Sequence, residues 1–403
     1  MAADASHRPR RARAELLTEM VGLSRRFGAD PAFVRAGGGN ISAKADGILA
    51  IKPSGVSLAT LTVEALIELS LEPLLDFLEG GAATTPGSDA VLRAGEAARR
   101  SAPDGRRPSV ELLFHALLPE SIVLHTHPTM VNTLTCSASG GELAARILGE
   151  RALWVPYADP GMPLARLIRD ERGAFERRTG RSAPRAILLQ NHGLIVSGET
   201  ANEIEEQSHD IAARIAEHAS GLPPFSWGAV ERIESGLAGD LLAALRPAVG
   251  RLLATDGQPR SVAFDDSPLA VGVAGSELGR RFAGDGALTP DQIVYAGSWP
   301  LVVEAFSTDG KAAVSALEAA LAERTRRDVD PPVTVLVAGL GVFAVGDTEQ
   351  QAETARVLYL DAVRIATGAH RLGGVRPLAP EERVFIERWE AETYRRQVAA
   401  RTM

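Results

Sequence analysis

Read along the chain, the spacing of apolar residues alternates between helical and extended periods. In "RARAELLTEMVGLSRRFG" the spacing of Leu16, Leu17, Met20 and Leu23 predicts an amphipathic helix, with Gly28 placed to stop it. "RAGGGNISAKADGILAIKPSGVSL" follows, in which a glycine run leads to a short strand, Ile48 to Ile51, and then to the turn "KPSG". "SVELLFHALL" reads as a helix and "SIVLHTHP" as a strand whose apolar run, Ile122 to Leu124, is buried. "RAILLQNHGLIVSG" reads as an apolar strand pair around Gly193, and a helix follows from about Thr200 to Ala219. The stretch 220–228, "SGLPPFSWG", is rich in proline and glycine and has no period. It marks a boundary between two domains, 1–222 and 229–403.

The second half repeats part of the first. "AILLQNHGLIVSGET" (186–200) aligns without gaps on "TVLVAGLGVFAVGDT" (334–348), pairing Gly193 with Gly341, Gly198 with Gly346 and Thr200 with Thr348. Two unrelated strand-turn-strand units obeying the same local rules could give one such match, but a long self-similar segment favours a duplicated unit. In this register Leu340 stands where His192 does, so the second copy is expected to have lost its chemistry.

Composition narrows the partners. A chain of 403 residues is long for one core, which agrees with two domains. With 43 basic and 51 acidic side chains the net charge is −8, and neither a nucleic acid nor a membrane surface would select that balance. Cys136 is the only cysteine, so no intrachain disulfide can form and a reducing compartment is expected. The basic start "MAADASHRPRRARAELL" leads into no apolar run, and no stretch reaches the roughly 18 apolar residues of a membrane span. The expectation is a cytoplasmic protein.

Seven of the eight histidines precede residue 220. His125, His127 and His192 lie at strand ends beside turn residues, and two residues apart on a strand point to one face. A catalytic zinc-type site needs three protein ligands, often imidazoles at about 2.1 Å, and one open position. An H-x-H pair alone is more often two half-buried histidines bonded to backbone. His7, His209, His218 and His370 read as surface or structural. His115 faces Glu111 one helical turn away, as partner or as core residue. "GGGN" fits neither a dinucleotide fingerprint nor a P-loop. Glycine turns can aim N–H groups at an anion, with Asn40, Ser42, Ser54 and Ser109 as added donors, although alone these segments read as ordinary turns.

Taken together, "GGGNIS", "KPSG", "PSVELLFHALLP", "LHTHP" and "NHGLIVSG", in this order and spacing, resemble the class II aldolase/adducin family, which includes fuculose- and rhamnulose-phosphate aldolases. The resemblance covers about residues 12–220. "FDDSPLAV", "LTPDQIVYAGSWPLVV", "VLVAGLGVFAVGDT", "LGGVRPL" and "FIERWEAETYRR" resemble the rest of the aldolase region in long bifunctional rhamnulose-1-phosphate aldolase/short-chain dehydrogenases. The chain stops at Met403, so the dehydrogenase part is expected to be missing. The implied fold is α/β, a mainly antiparallel sheet flanked by helices, here duplicated with a degenerate second copy.

By this resemblance His125, His127 and His192 are metal ligands, Glu111 is the general acid/base beside the metal, and Asn40, Ser54, Gly55 and Ser109 hold a substrate phosphate. The metal is expected to be Zn2+, with Mn2+, Mg2+ or Co2+ as alternatives. Val110 replaces the second serine of the family's "PSSE", and Gln292 stands where the long subfamily usually carries histidine. No residue matches the tyrosine that serves as proton donor in the family, and Tyr157 is assigned no role. The implied reaction is reversible cleavage of a ketose 1-phosphate to dihydroxyacetone phosphate and an aldehyde, through a metal-stabilised enediolate. The implied assembly is a homo-oligomer, dimer or tetramer. A same-fold dehydratase or decarboxylase keeps similar ligands, an epimerase would carry Asp at Glu111, and an adducin-like scaffold would lack the ligands.

Overall fold

A computed structural model describes residues 12–80, 88–101, 105–228, 230, 233–303 and 309–389. His7, and the part of "FIERWEAETYRR" from residue 390 on, lie outside these. The first helix, Arg13–Ala29, buries Leu16, Leu17, Met20, Leu23 and Phe27 along one face. Gly28 does not stop it, as the sequence suggested, but lies inside the helix. A Cβ there would fall 2.2 Å from the backbone nitrogen of Ala59, so the residue is glycine because another backbone passes against it.

Eight strands form the first sheet: β1 (Asn40–Ala45), β2 (Ile48–Ile51), β3 (Ile67–Ser70), β4 (Arg99–Ser101), β5 (Ile122–Thr126), β6 (Ala152–Val155), β7 (Ala186–Leu189) and β8 (Gly193–Gly198). Their order is β4-β3-β2-β1-β5-β8-β7-β6. β1 and β2 are joined by Asp46 and Gly47, at φ 53° and 73°, the positive pair that a two-residue hairpin turn requires. β1 then pairs antiparallel with β5, placing Asn40 opposite His125.

The second sheet has four strands, β9 (Ser261–Asp265), β10 (Leu301–Val303), β11 (Thr334–Val337) and β12 (Gly341–Gly346), in the order β10-β11-β12-β9. One face of the β11–β12 pair presents Val335, Val337, Phe343 and Val345 to Leu241, Leu245 and Val249 of helix Ser235–Leu252 and to Leu317 of helix Gly310–Arg326. Such side chains each add roughly 1.5–3 kcal/mol when fully buried.

The order β9-β12-β11-β10 repeats β5-β8-β7-β6, and β11 and β12 begin and end at the residues the sequence match pairs with β7 and β8. Helices follow suit: Met162–Thr179 precedes β7 as Gly310–Arg326 precedes β11, and Ala201–Ser220 follows β8 as Glu349–Arg371 follows β12. The second copy is thus an α/β unit without strands equivalent to β1–β4 among the described residues.

Compactness divides the chain differently from its sequence. One unit comprises the described residues up to Thr126 with Pro160–Ala186 and Ile195–His209. The other comprises His127–Asp159, Ile187–Leu194 and the described residues from Asp210 on. In this second unit helix Thr129–Thr135 packs on helix Glu349–Arg371, with Thr129 Oγ1 donating to Asp361 at 2.7 Å and Ser137 Oγ to the Leu372 carbonyl at 2.7 Å. The segments 1–222 and 229–403 are kept as our proposal for how the chain is organised by repetition. No helix among the described residues is long and apolar enough to cross a membrane.

Candidate metal centre

β5 carries His125 on its fourth residue, fully buried. Thr126 ends the strand, so His127 lies just beyond it, before the helix Thr129–Thr135 begins. His192 sits in the turn between β7 and β8, after Asn191 at φ 56°. The three imidazoles each offer a nitrogen, and these atoms all lie within 4.8 Å of one another. Nitrogens about 2.1 Å from a tetrahedral ion would be about 3.4 Å apart, so modest side-chain rotation closes the set. Three neutral imidazoles suit zinc and similar divalent ions, and the donor set fits one.

Each of the three histidines has a polar neighbour. Glu111 occupies the N-cap of helix Leu112–Leu117, and its N–H donates to Ser109 Oγ at 3.2 Å. Its Oε1 stands 3.4 Å from His125 Nε2. His127 Nδ1 meets Asp291 Oδ2 at 2.5 Å. Asn132 Nδ2 donates to the His192 carbonyl at 3.3 Å. The adjacent Asn191 donates to the carbonyls of Leu288 and Arg376, at 2.9 and 2.8 Å.

Asp291 is the residue that sequence reasoning missed. It lies in the first turn of helix Pro290–Ala296, where an acid after a Thr–Pro start reads as ordinary capping. The neighbouring Gln292 serves the backbone, since its side-chain oxygen accepts from the Leu288 N–H at 2.9 Å and closes the loop.

Three of the phosphate candidates, Ser54, Gly55 and Ser109, fall on two segments joined by a short bridge. A bridge between Pro53 and Pro108 sets the Ser54–Gly55 turn beside Ser109, with Ser54 N–H donating to the Arg107 carbonyl at 3.1 Å. Gly55 has φ 78°, which only glycine adopts without strain. The Lys52 ammonium, also unforeseen, donates to the Val56 carbonyl at 2.7 Å and holds the same turn. Asn40 is buried at the start of β1, its Oδ1 accepting from the Ile41 N–H at 2.9 Å. Gly39 before it approaches the strand closely, since a Cβ there would lie 2.7 Å from the His125 carbonyl oxygen.

Ser42 does not join this group. Its hydroxyl pairs with His115 Nδ1 at 2.8 Å in the core, which makes His115 a core histidine. Burial holds the His115 imidazole well below its usual pKa, against the pull of Glu111. Tyr157 is held by Asp159 and by the Glu382 carbonyl, both at 3.4 Å, and burial raises its pKa.

Residues 18–213 match the family model of the class II aldolase and adducin N-terminal domain, and residues 318–395 that of the aldolase class II second domain. Both matched segments are thus similar to domains of the class II aldolases, the first of them shared with adducins. A curated relative, the uncharacterized oxidoreductase YuxG of Bacillus subtilis (strain 168), is 25% identical over 415 residues, which cover 94% of this chain and 58% of that protein. This chain therefore spans less than two thirds of the relative's length. Among solved structures, the N-terminal class II aldolase domain of a conserved protein from Thermoplasma acidophilum is 25% identical with a TM-score of 0.44, covering 54% of this chain and 97% of that one. YgbL from Klebsiella pneumoniae, described as a putative aldolase/epimerase/decarboxylase, is 20% identical with a TM-score of 0.37, covering 51% and 88%.

Proposed function

We propose that this chain is a metal-dependent aldolase that reversibly cleaves a ketose 1-phosphate to dihydroxyacetone phosphate and an aldehyde. The observation that carries the reading is the convergence of three imidazole nitrogens within 4.8 Å, with the Glu111 carboxylate 3.4 Å from one of the rings. His125, His127 and His192 would hold the ion, zinc first. A divalent cation held there supplies Lewis acidity for negative charge on neighbouring substrate oxygens.

The chain's own groups position the substrate and supply one of the two proton transfers. Breaking the C3–C4 bond takes a proton from the C4 hydroxyl and returns one to C3. Glu111 is the group for the C3 proton, because it is a carboxylate fixed at a helix N-cap beside the ligands. Ser54, Gly55, Ser109 and Asn40 would grip the phosphate, far from the reacting carbons, and so fix the substrate's position. No lysine Schiff base is needed.

The test is metal analysis together with a retro-aldol assay on a panel of ketose 1-phosphates. Stoichiometric metal and release of dihydroxyacetone phosphate support the reading. A loaded protein that instead dehydrates, decarboxylates or epimerises these sugars refutes it, and so does one that turns over none. We further propose a cytoplasmic homo-oligomer, dimer or tetramer. Light scattering that finds a fully active monomer would refute the assembly.

A further inference from the structure

We propose that Asp291 is a positioning residue for the metal site, fixing the tautomer of His127. This inference rests on the metal-binding reading above. The 2.5 Å contact joins His127 Nδ1 to a carboxylate oxygen, and the two side chains are only 9% and 7% exposed. A desolvated carboxylate of this kind accepts an N–H far more strongly than solvent does. With the proton held on Nδ1, the lone pair of neutral imidazole stays on Nε2, the nitrogen left to face an ion. Carboxylates that hold ligand histidines in this way also raise the basicity of the ring.

The backbone around Asp291 is built for aim. Thr289 caps the helix Pro290–Ala296 by accepting from the Gln292 N–H, and Gln292 in turn accepts from the Leu288 N–H. The Leu288 carbonyl accepts from Asn191, the residue before His192. A single loop of the second half thus reaches His127 through a side chain and the His192 turn through a backbone oxygen. An acid that served only the dipole of its own helix would have no need of an imidazole 164 positions away in the chain.

The experiment uses full-length Asp291→Ala, Asp291→Asn and His127→Ala proteins. Two quantities are read: zinc affinity by competition with a chelator, and the His127 tautomer by nitrogen–proton correlation NMR of the metal-free protein. Asp291→Ala is expected to weaken zinc binding 10–100-fold and to lose the fixed Nδ1–H signal. Asp291→Asn, whose amide oxygen can accept the same N–H, is expected to keep that signal and fall between. A merely structural role would not move the tautomer. If Asp291→Ala keeps wild-type affinity or an unchanged His127 tautomer while His127→Ala loses zinc, the positioning role is refuted and the metal reading stands. If His127→Ala keeps its zinc, the metal reading itself fails.

Discussion

Replacing Glu111 by glutamine should separate proton transfer from metal binding. The side chain keeps its length and one oxygen, so the position 3.4 Å from His125 Nε2 can be held and the N-cap contact with Ser109 is untouched. What disappears is a group that can release and regain a proton. Loss of a positioned acid/base costs about 10²–10⁴ in rate, which is about 2.7–5.5 kcal/mol at 1.36 kcal/mol per decade. On the proposed reading zinc is held by imidazoles, so its stoichiometry should stay at the wild-type value and KM should move little. Steady-state release of dihydroxyacetone phosphate, with metal content measured on the same samples, reads both effects. A variant within tenfold of wild type would show that another group carries the proton. A variant that loses metal along with turnover would make Glu111 a ligand instead.

The remaining expectations concern the scaffold. His192→Leu should abolish stoichiometric zinc without unfolding the chain, because the matching turn already carries a buried leucine, Leu340; circular dichroism and metal analysis check both halves. Gly28→Ala should lower the urea midpoint: the close approach to Ala59 costs about 1–3 kcal/mol, more than the roughly 1 kcal/mol that alanine gains in a helix, and a raised midpoint would refute the packing argument. Burial lowers the Lys44 pKa from 10.5 to about 7, so between these values the unfolded chain binds the extra proton and stability should rise with pH; Lys44→Met should flatten that rise in denaturation curves at pH 7 and pH 9.5. Cys136 is fully buried and its thiol is pushed up to about 12, so a thiol reagent should label it only after unfolding.

Local order was legible where one period dominated. The strand read over Ile48 to Ile51 is β2, and the helix expected from Thr200 to Ala219 is Ala201–Ser220, since alternation and helical spacing are properties of neighbouring residues. The H-x-H pair was legible as chemistry but not as geometry, because the strand ends between its two members. Ser42 counted as a free donor until the fold set the His115 ring against it, and Gly28 counted as a stop signal until a second backbone passed beside it. The last two failures share a cause: each depends on a partner distant in sequence, and a periodicity holds no information about such partners. Asp291 is the extreme case, since its local context explains it fully without the histidine it meets.

That case bears on why the second copy persists. It keeps the strand order of the first but not the imidazoles: Leu340 takes the place of His192, and the fourth residue of β9 is Phe264 where β5 has His125. It also has something the first lacks. Between helix Gly140–Leu148 and β6 the first copy has one 3-10 turn, Gly149–Arg151, whereas between helix Glu277–Asp285 and β10 the second inserts the helix Pro290–Ala296. The inserted helix is the element that brings Asp291 to His127, and the loop that leads into it holds Asn191. A copy retained for packing alone would need its sheet and its long helices, but no extra turn of helix with a buried carboxylate at its start. The place where the copy departs from its template is therefore the place where it meets His127, and on the proposed reading its part is to aim the residues that hold the metal.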